Sequence, residues 1–147
     1  MTNEKSISHL NDVLETLIDS SDGYAKATEV ADREVFKNFF VRRSAARRAM
    51  ATEIKAEIKQ LGGEPENEGT ILAKAHRVFL TISAALQDND EAAIEAVDTG
   101  EEHLRDKIEQ ALQTDELSVS SKAILSNFQG ELRADKRLID YLEEAVD

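Results

Sequence analysis

Apolar residues return at steps of three and four through most of this chain, and the phase of that return defines its elements. Ile7, Leu10, Leu14, Leu17, Ser21, Tyr24 and Thr28 share one face, the spacing of an amphipathic helix. It is predicted to run from about Glu4 to Val30. Asp32 stands where a cap for a second helix would be, and Val35, Phe36, Phe39, Phe40, Ala46, Met50, Ile54, Ile58 and Leu61 continue the stripe. Leu61-Gly62-Gly63-Glu64-Pro65 ends it, because glycine takes the left-handed conformation past a last turn and proline cannot continue a helix. Thr70 opens a shorter segment with Leu72, Ala75, Phe79, Ile82 and Leu86 on one face, interrupted at Asp88-Asn89-Asp90. Asp90 and Glu91 set negative charge where the free amides of a new helix point. Ala93, Val97, Leu104, Ile108 and Leu112 form its stripe. After a polar link at Thr114 to Ser118, Ile124, Leu125, Phe128, Leu132, Leu138, Ile139 and Leu142 define the last helix. No strand-like alternation is sustained, so the chain reads as all-α.

Length sets the topology. At about 1.5 Å per residue, a continuous helix from Thr70 to Gln113 would reach roughly 65 Å, against about 40 Å for the others. It would overhang its neighbours, so a break is expected near Asp88 to Asp90. The result is one domain over residues 1–147, with five helical segments around a four-helix-bundle core and an interrupted third helix. The short link after Leu61 predicts antiparallel packing of the segments on either side of it.

Charge narrows the partners. The 147 residues carry 30 acids against 18 bases, a net charge of −12, which repels phosphate backbones and anionic membranes. Nucleic acid and membrane are therefore not expected partners. With no cysteine, neither a disulfide framework nor a thiolate metal site can form. The apolar runs are too short to cross a bilayer and the first residues are polar, so a cytoplasmic location is expected.

Three histidines test for metal chemistry. The residues three positions before His9, His76 and His103 are Ser6, Ala73 and Gly100, so the chain lacks the Glu-x-x-His pair that aims two ligands of a di-iron carboxylate bundle into one gap. An irregular site would have to draw on Glu15, Asp19, Glu53, Glu57 and His76, carboxylates that suit iron or manganese with one imidazole. Against it, acidic groups on helices of such a chain read as solvated faces, and a single histidine beside Leu72, Ala75 and Phe79 reads as a hydrogen-bonded core-edge imidazole. His9 has Asp12 for company, and His103 has Glu102 and Asp106.

Other polar residues sit close to the apolar stripes. Arg43 and Arg47, flanked by Arg42 and Arg48, are expected to lie across the core edge and pair with Asp19 or Asp22 of the first helix, the alternative being a local anion or acidic-partner site that the overall negative charge would weaken. Asp135 falls within the last stripe, where an ionised carboxylate needs a partner, and an arginine is the favoured one. Gly23, Gly100 and Gly130 inside helices predict close helix approach, with Tyr24 filling space beside Gly23 and its hydroxyl bonded to a polar group, the alternative being a ligand crevice. Phe36, Phe39 and Phe40 cannot all point one way, so part of that aromatic face is expected to meet another copy.

Asp22-Gly23-Tyr24, Leu61-Gly62-Gly63-Glu64-Pro65, and Gly69-Thr70 followed by His76-Arg77 together resemble the pattern of a bacterial four-helix-bundle family of unknown function, grouped by fold with the ferritin-like proteins. The resemblance covers most of the chain. It implies a ferritin-like bundle without implying ferroxidase activity, since the family carries no established reaction. It also loosely connects the chain with stress physiology. The expected function is a non-catalytic bundle acting through protein contacts as a homo-oligomer, with no catalytic residue and no cofactor. The alternative is a metal-binding or di-iron-type oxidoreductase or storage protein using the irregular site.

Overall fold

The computed structural model describes residues 2–66 and 90–146. Within them lie four helices, α1 (Thr2–Val30), α2 (Glu34–Gln60), α3 (Asp90–Leu112) and α4 (Val119–Val146), and no strand. The segment expected from Thr70 to Leu86, its break at Asp88, and its packing against α2 lie outside the described residues.

Contacts at the helix ends give the topology. α1 turns back into α2 through residues 31–33, and the first residue of α3, Asp90, accepts the Asp32 amide at 2.7 Å. Glu66 meets Asn11, near the opposite end of α1. α2 and α3 therefore run parallel to each other and antiparallel to α1, and α4 returns antiparallel to α3 after residues 113–118. α1 packs closely on α2 and on α3, and α3 packs on α4. Side chains, rather than close backbone approach, join α2 to α3 and α4.

The boundaries follow from local chemistry. α2 ends in a Schellman turn: the Gly63 amide reaches the Ile58 carbonyl at 2.9 Å, and the Gly62 amide reaches that of Lys59 at 3.0 Å. Gly62 has φ 88°, a conformation that penalises any residue with a Cβ. A Cβ on Gly63 would stand 2.6 Å from Ile7 Cδ1, so among the described glycines the close approach lies here. Gly23, Gly100 and Gly130 face open space instead, which corrects the expectation of tight helix crossings at those positions. Alanine at exposed Gly130 is accordingly expected to stabilise the protein by about 0.5–1 kcal/mol, read as a higher urea midpoint at unchanged m-value. Arg33 rather than Asp32 occupies the cap position of α2 and supplies no side-chain bond. The buried Asp90 carboxylate serves that end, taking the Asp32 amide and lying 3.4 Å from Arg33 Nε. α4 is capped by Ser118, whose Oγ accepts the Ser121 amide at 3.1 Å.

The apolar core is divided. One cluster, around Leu14, Leu17, Ile54, Ile58, Leu104, Ile108 and Leu125, fills the half near the amino end of α1. A second, around Tyr24, Ala27, Phe36, Phe40, Ile94, Val97 and Ile139, fills the other half. Phe39 packs against Tyr24 and Phe40 at centroid distances of 6.4 and 5.9 Å and is covered by the Arg43 guanidinium 5.0 Å above it. The free apolar groups of α2 are thus valines, not the phenylalanine the sequence offered.

Candidate functional site

Between the two apolar clusters every helix replaces a core residue with a polar one. α1 contributes Ser20 and Tyr24, α2 Arg43 and Arg47, α3 Glu101 and α4 Asp135. The periodicity that buries Leu17, Met50, Leu104 and Leu132 in one half carries these neighbours inward at a common level. Arg47, Tyr24 and Glu101 have no exposed surface, and Asp135 is buried.

Arg47 lies at the centre. Its Nε donates to Glu101 Oε2 at 3.0 Å while its Nη2 donates to Glu101 Oε1, a bidentate fork. The same Nη2 reaches Asp135 Oδ2 at 2.6 Å, and Nη1 faces Met50 Sδ at 3.9 Å. Tyr24 donates its hydroxyl to Glu101 Oε1 at 2.7 Å, and Ser20 donates to Oε2 at 3.1 Å. Arg43 Nη2 lies 3.1 Å from the other Asp135 oxygen. Two guanidinium charges thus balance two carboxylates, and all four carboxylate oxygens have donors. Burial works against the Arg47 charge, but the hydrogen bonds and charge of Glu101 outweigh it and hold the proton more firmly than in water. Burial, then the adjacent Glu101 charge, pushes the Tyr24 phenol well above its ordinary value, so it stays a donor at neutral pH.

The pairing differs from the sequence expectation. Arg43 and Arg47 turn inward to Asp135 and Glu101 instead of meeting Asp19 or Asp22, and only Arg48 pairs with Asp22, at 2.9 Å. Asp135 has its arginine partners as expected. Glu101 was missed, although it falls at the i+4 position between Val97 and Leu104 and could have been found as a carboxylate inside an apolar stripe.

The residues of the alternative metal site are dispersed. Glu57 is buried at the amino end of α4, where its Oε2 accepts Ser120 at 2.6 Å and Ser121 at 2.7 Å, next to a positive helix end. Glu53 is exposed one turn away, and Glu15 and Asp19 are half-buried on α1. His76 lies outside the described residues. His9 bonds to Glu116 at 2.9 Å, with Lys5 on the other Glu116 oxygen, rather than to Asp12. Asp19 is the perturbed member: burial, and then repulsion from Asp22, raise its carboxyl to about 6, partly offset by His103, and its Oδ1 is buried without a hydrogen-bond partner. Among the described residues, no three His, Asp or Glu side chains gather as a metal site would require.

A ferritin-like architecture brings a bundle-centre metal into question, and the donor set at this centre does not fit one. A cation held there by Glu101 and Asp135 would compete with a guanidinium already seated among their oxygens.

Four helices arranged in this way, with α2 and α3 parallel, make the chain a ferritin-like four-helix bundle. It aligns with a Mycobacterium smegmatis Dps1 mutant at a TM-score of 0.82, covering 97% of each chain at 14% identity. It also aligns with the tetragonal form of Mycobacterium smegmatis Dps at a TM-score of 0.68, covering 93% of this chain and 86% of that one at 14% identity. Likeness at such identity speaks for fold alone. The chain belongs to the family described as Domain of unknown function (DUF2383), whose model matches residues 5–114. No curated protein matches the sequence. Among the described residues, no helix is long and apolar enough to cross a membrane.

Proposed function

We propose that this protein is a non-catalytic helical bundle that acts through protein contacts and associates with copies of itself in the cytoplasm. The observation that carries the reading is a groove of about 320 Å³ on the outer face of α1 and α2, lined by Ala25, Thr28, Val41, Ser44, Ala45 and Arg48. Val41 at its edge is 54% exposed and Val35 62% exposed on the same helix. Such apolar surface on a charged protein is what an interface covers. At the bundle centre, by contrast, Arg47, Glu101, Asp135, Tyr24 and Ser20 bond to one another.

Light scattering behind size exclusion tests the reading. The parent chain is expected to run above its monomer mass of 16.3 kDa. Val41→Arg, which forces a charge into the groove, is expected to raise the dissociation constant by about 30-fold or more with an unchanged helical spectrum. A parent that stays monomeric up to about 100 μM, well above the micromolar dissociation constants of weak complexes, overturns it.

The metal-binding reading has one observation in its favour, the Asp19 carboxyl, raised to about 6 and with a buried oxygen that lacks a hydrogen bond, with Glu15 a turn away. Elemental analysis of protein purified without chelators addresses it: stoichiometric iron or manganese, lost on Glu53→Ala or Asp19→Asn, would establish that reading instead.

A further inference from the structure

The groove and the rest of the surface carry opposite features that match. Among the described residues outside α2, the large exposed apolar side chains are Val119 and the pair Leu138 and Tyr141 on α4, with Tyr141 69% and Leu138 46% exposed. Leu138 and Tyr141 are three residues apart, so they project from one face of the helix, and Ala145 extends that face. Next to them stands Glu144, exposed and, among the described residues, in no ion pair. α2 has the opposite character: it holds seven of the chain's eighteen basic residues and three of its thirty acids. Arg42 is exposed beside Val41 and, among the described residues, forms no ion pair.

Building on the self-association proposed above, we infer that the occupant of the α1/α2 groove is the α4 face of a second copy, with Tyr141 as the inserted side chain. A tyrosine ring offers about 150–250 Å² of surface for burial, and the groove has the volume to receive it. The acidic end of α4 then faces the basic helix, which offsets the repulsion between two copies of net charge −12. Because the two patches differ, the contact is head to tail. It closes into a ring or extends, and it uses every copy twice.

Complementary mixing tests this. Val41→Arg disables the groove and Tyr141→Ser disables the inserted face. Both positions are exposed, so both variants are expected to keep the parent's helical spectrum and melting temperature. Each variant alone is expected to run as a monomer under conditions where the parent assembles. An equimolar mixture is expected to give a one-to-one dimer that grows no further, since one intact groove then meets one intact α4 face. Assembly of the Tyr141→Ser protein at parental strength would overturn the inference while leaving self-association through the groove standing. A monomeric parent would remove the underlying reading itself.

Discussion

Methionine in place of Arg47 is expected to destabilise the protein by about 3–5 kcal/mol, measured by urea unfolding at pH 7. The size of the loss comes from what is left behind. Glu101 and Asp135 would remain in the core as carboxylates without their central cation, and breaking a buried ion pair from one side costs that much. Arg43 still reaches Asp135, but Glu101 keeps only the hydroxyls of Tyr24 and Ser20. The deficit of the variant should shrink as the pH falls toward 4, because a stranded buried carboxyl takes up its proton more readily than an unfolded one. Exchanging Arg47, Glu101 and Asp135 together for apolar residues of similar size should be far milder than Arg47→Met. A loss below about 1 kcal/mol for Arg47→Met would mean that the layer contributes little to stability.

Asparagine at position 19 should have the opposite sign. Asp19 carries a folded carboxyl raised to about 6 against an ordinary value of 3.8, chiefly through burial, so its ionised form is disfavoured in the native state. The penalty is complete above pH 6, declines as the proton is taken up between pH 6 and 4, and is absent below. Asp19→Asn should therefore stabilise the protein at pH 7 by about 1–2 kcal/mol, after allowance for solvent screening of a half-buried group. Its advantage over the parent should fade toward pH 4. Paired denaturation curves at pH 7.5 and 4 measure this, and an equal difference at both values would show that Asp19 titrates normally.

Much of the architecture was written in the chain at the level of single positions. The stripes of α1, α2, α3 and α4 give their helices within a few residues, and Gly62 marks the end of α2 because a positive φ leaves a compositional trace. The α1 to α2 junction was less legible. Asp32 has the right chemistry for a cap, but the carboxylate that serves that end comes from Asp90, 58 residues on, and local reading cannot see it. The same limit applies at the centre. Asp135 announced itself as a charge in an apolar stripe, and Arg47 as a long cation beside one. The pairing of Arg47 with Asp135 and Glu101 depends on which helices face each other, and of the expected pairs with Asp19 or Asp22 only that of Arg48 with Asp22 forms. Gly23, Gly100 and Gly130 misled for a related reason: a helical glycine signals a tolerated cost, and here that cost brings no close contact.

The charged layer also acts as a ruler for the bundle. Apolar faces can slide along one another with little penalty, since leucine meets leucine after one turn as before. A one-turn shift of α4 along its neighbours would carry Asp135 about 5.4 Å, out of reach of Arg47 and toward hydrocarbon. Only one longitudinal setting of the helices leaves every charge in company, so alignment errors open to a purely oily interior would be closed to this one.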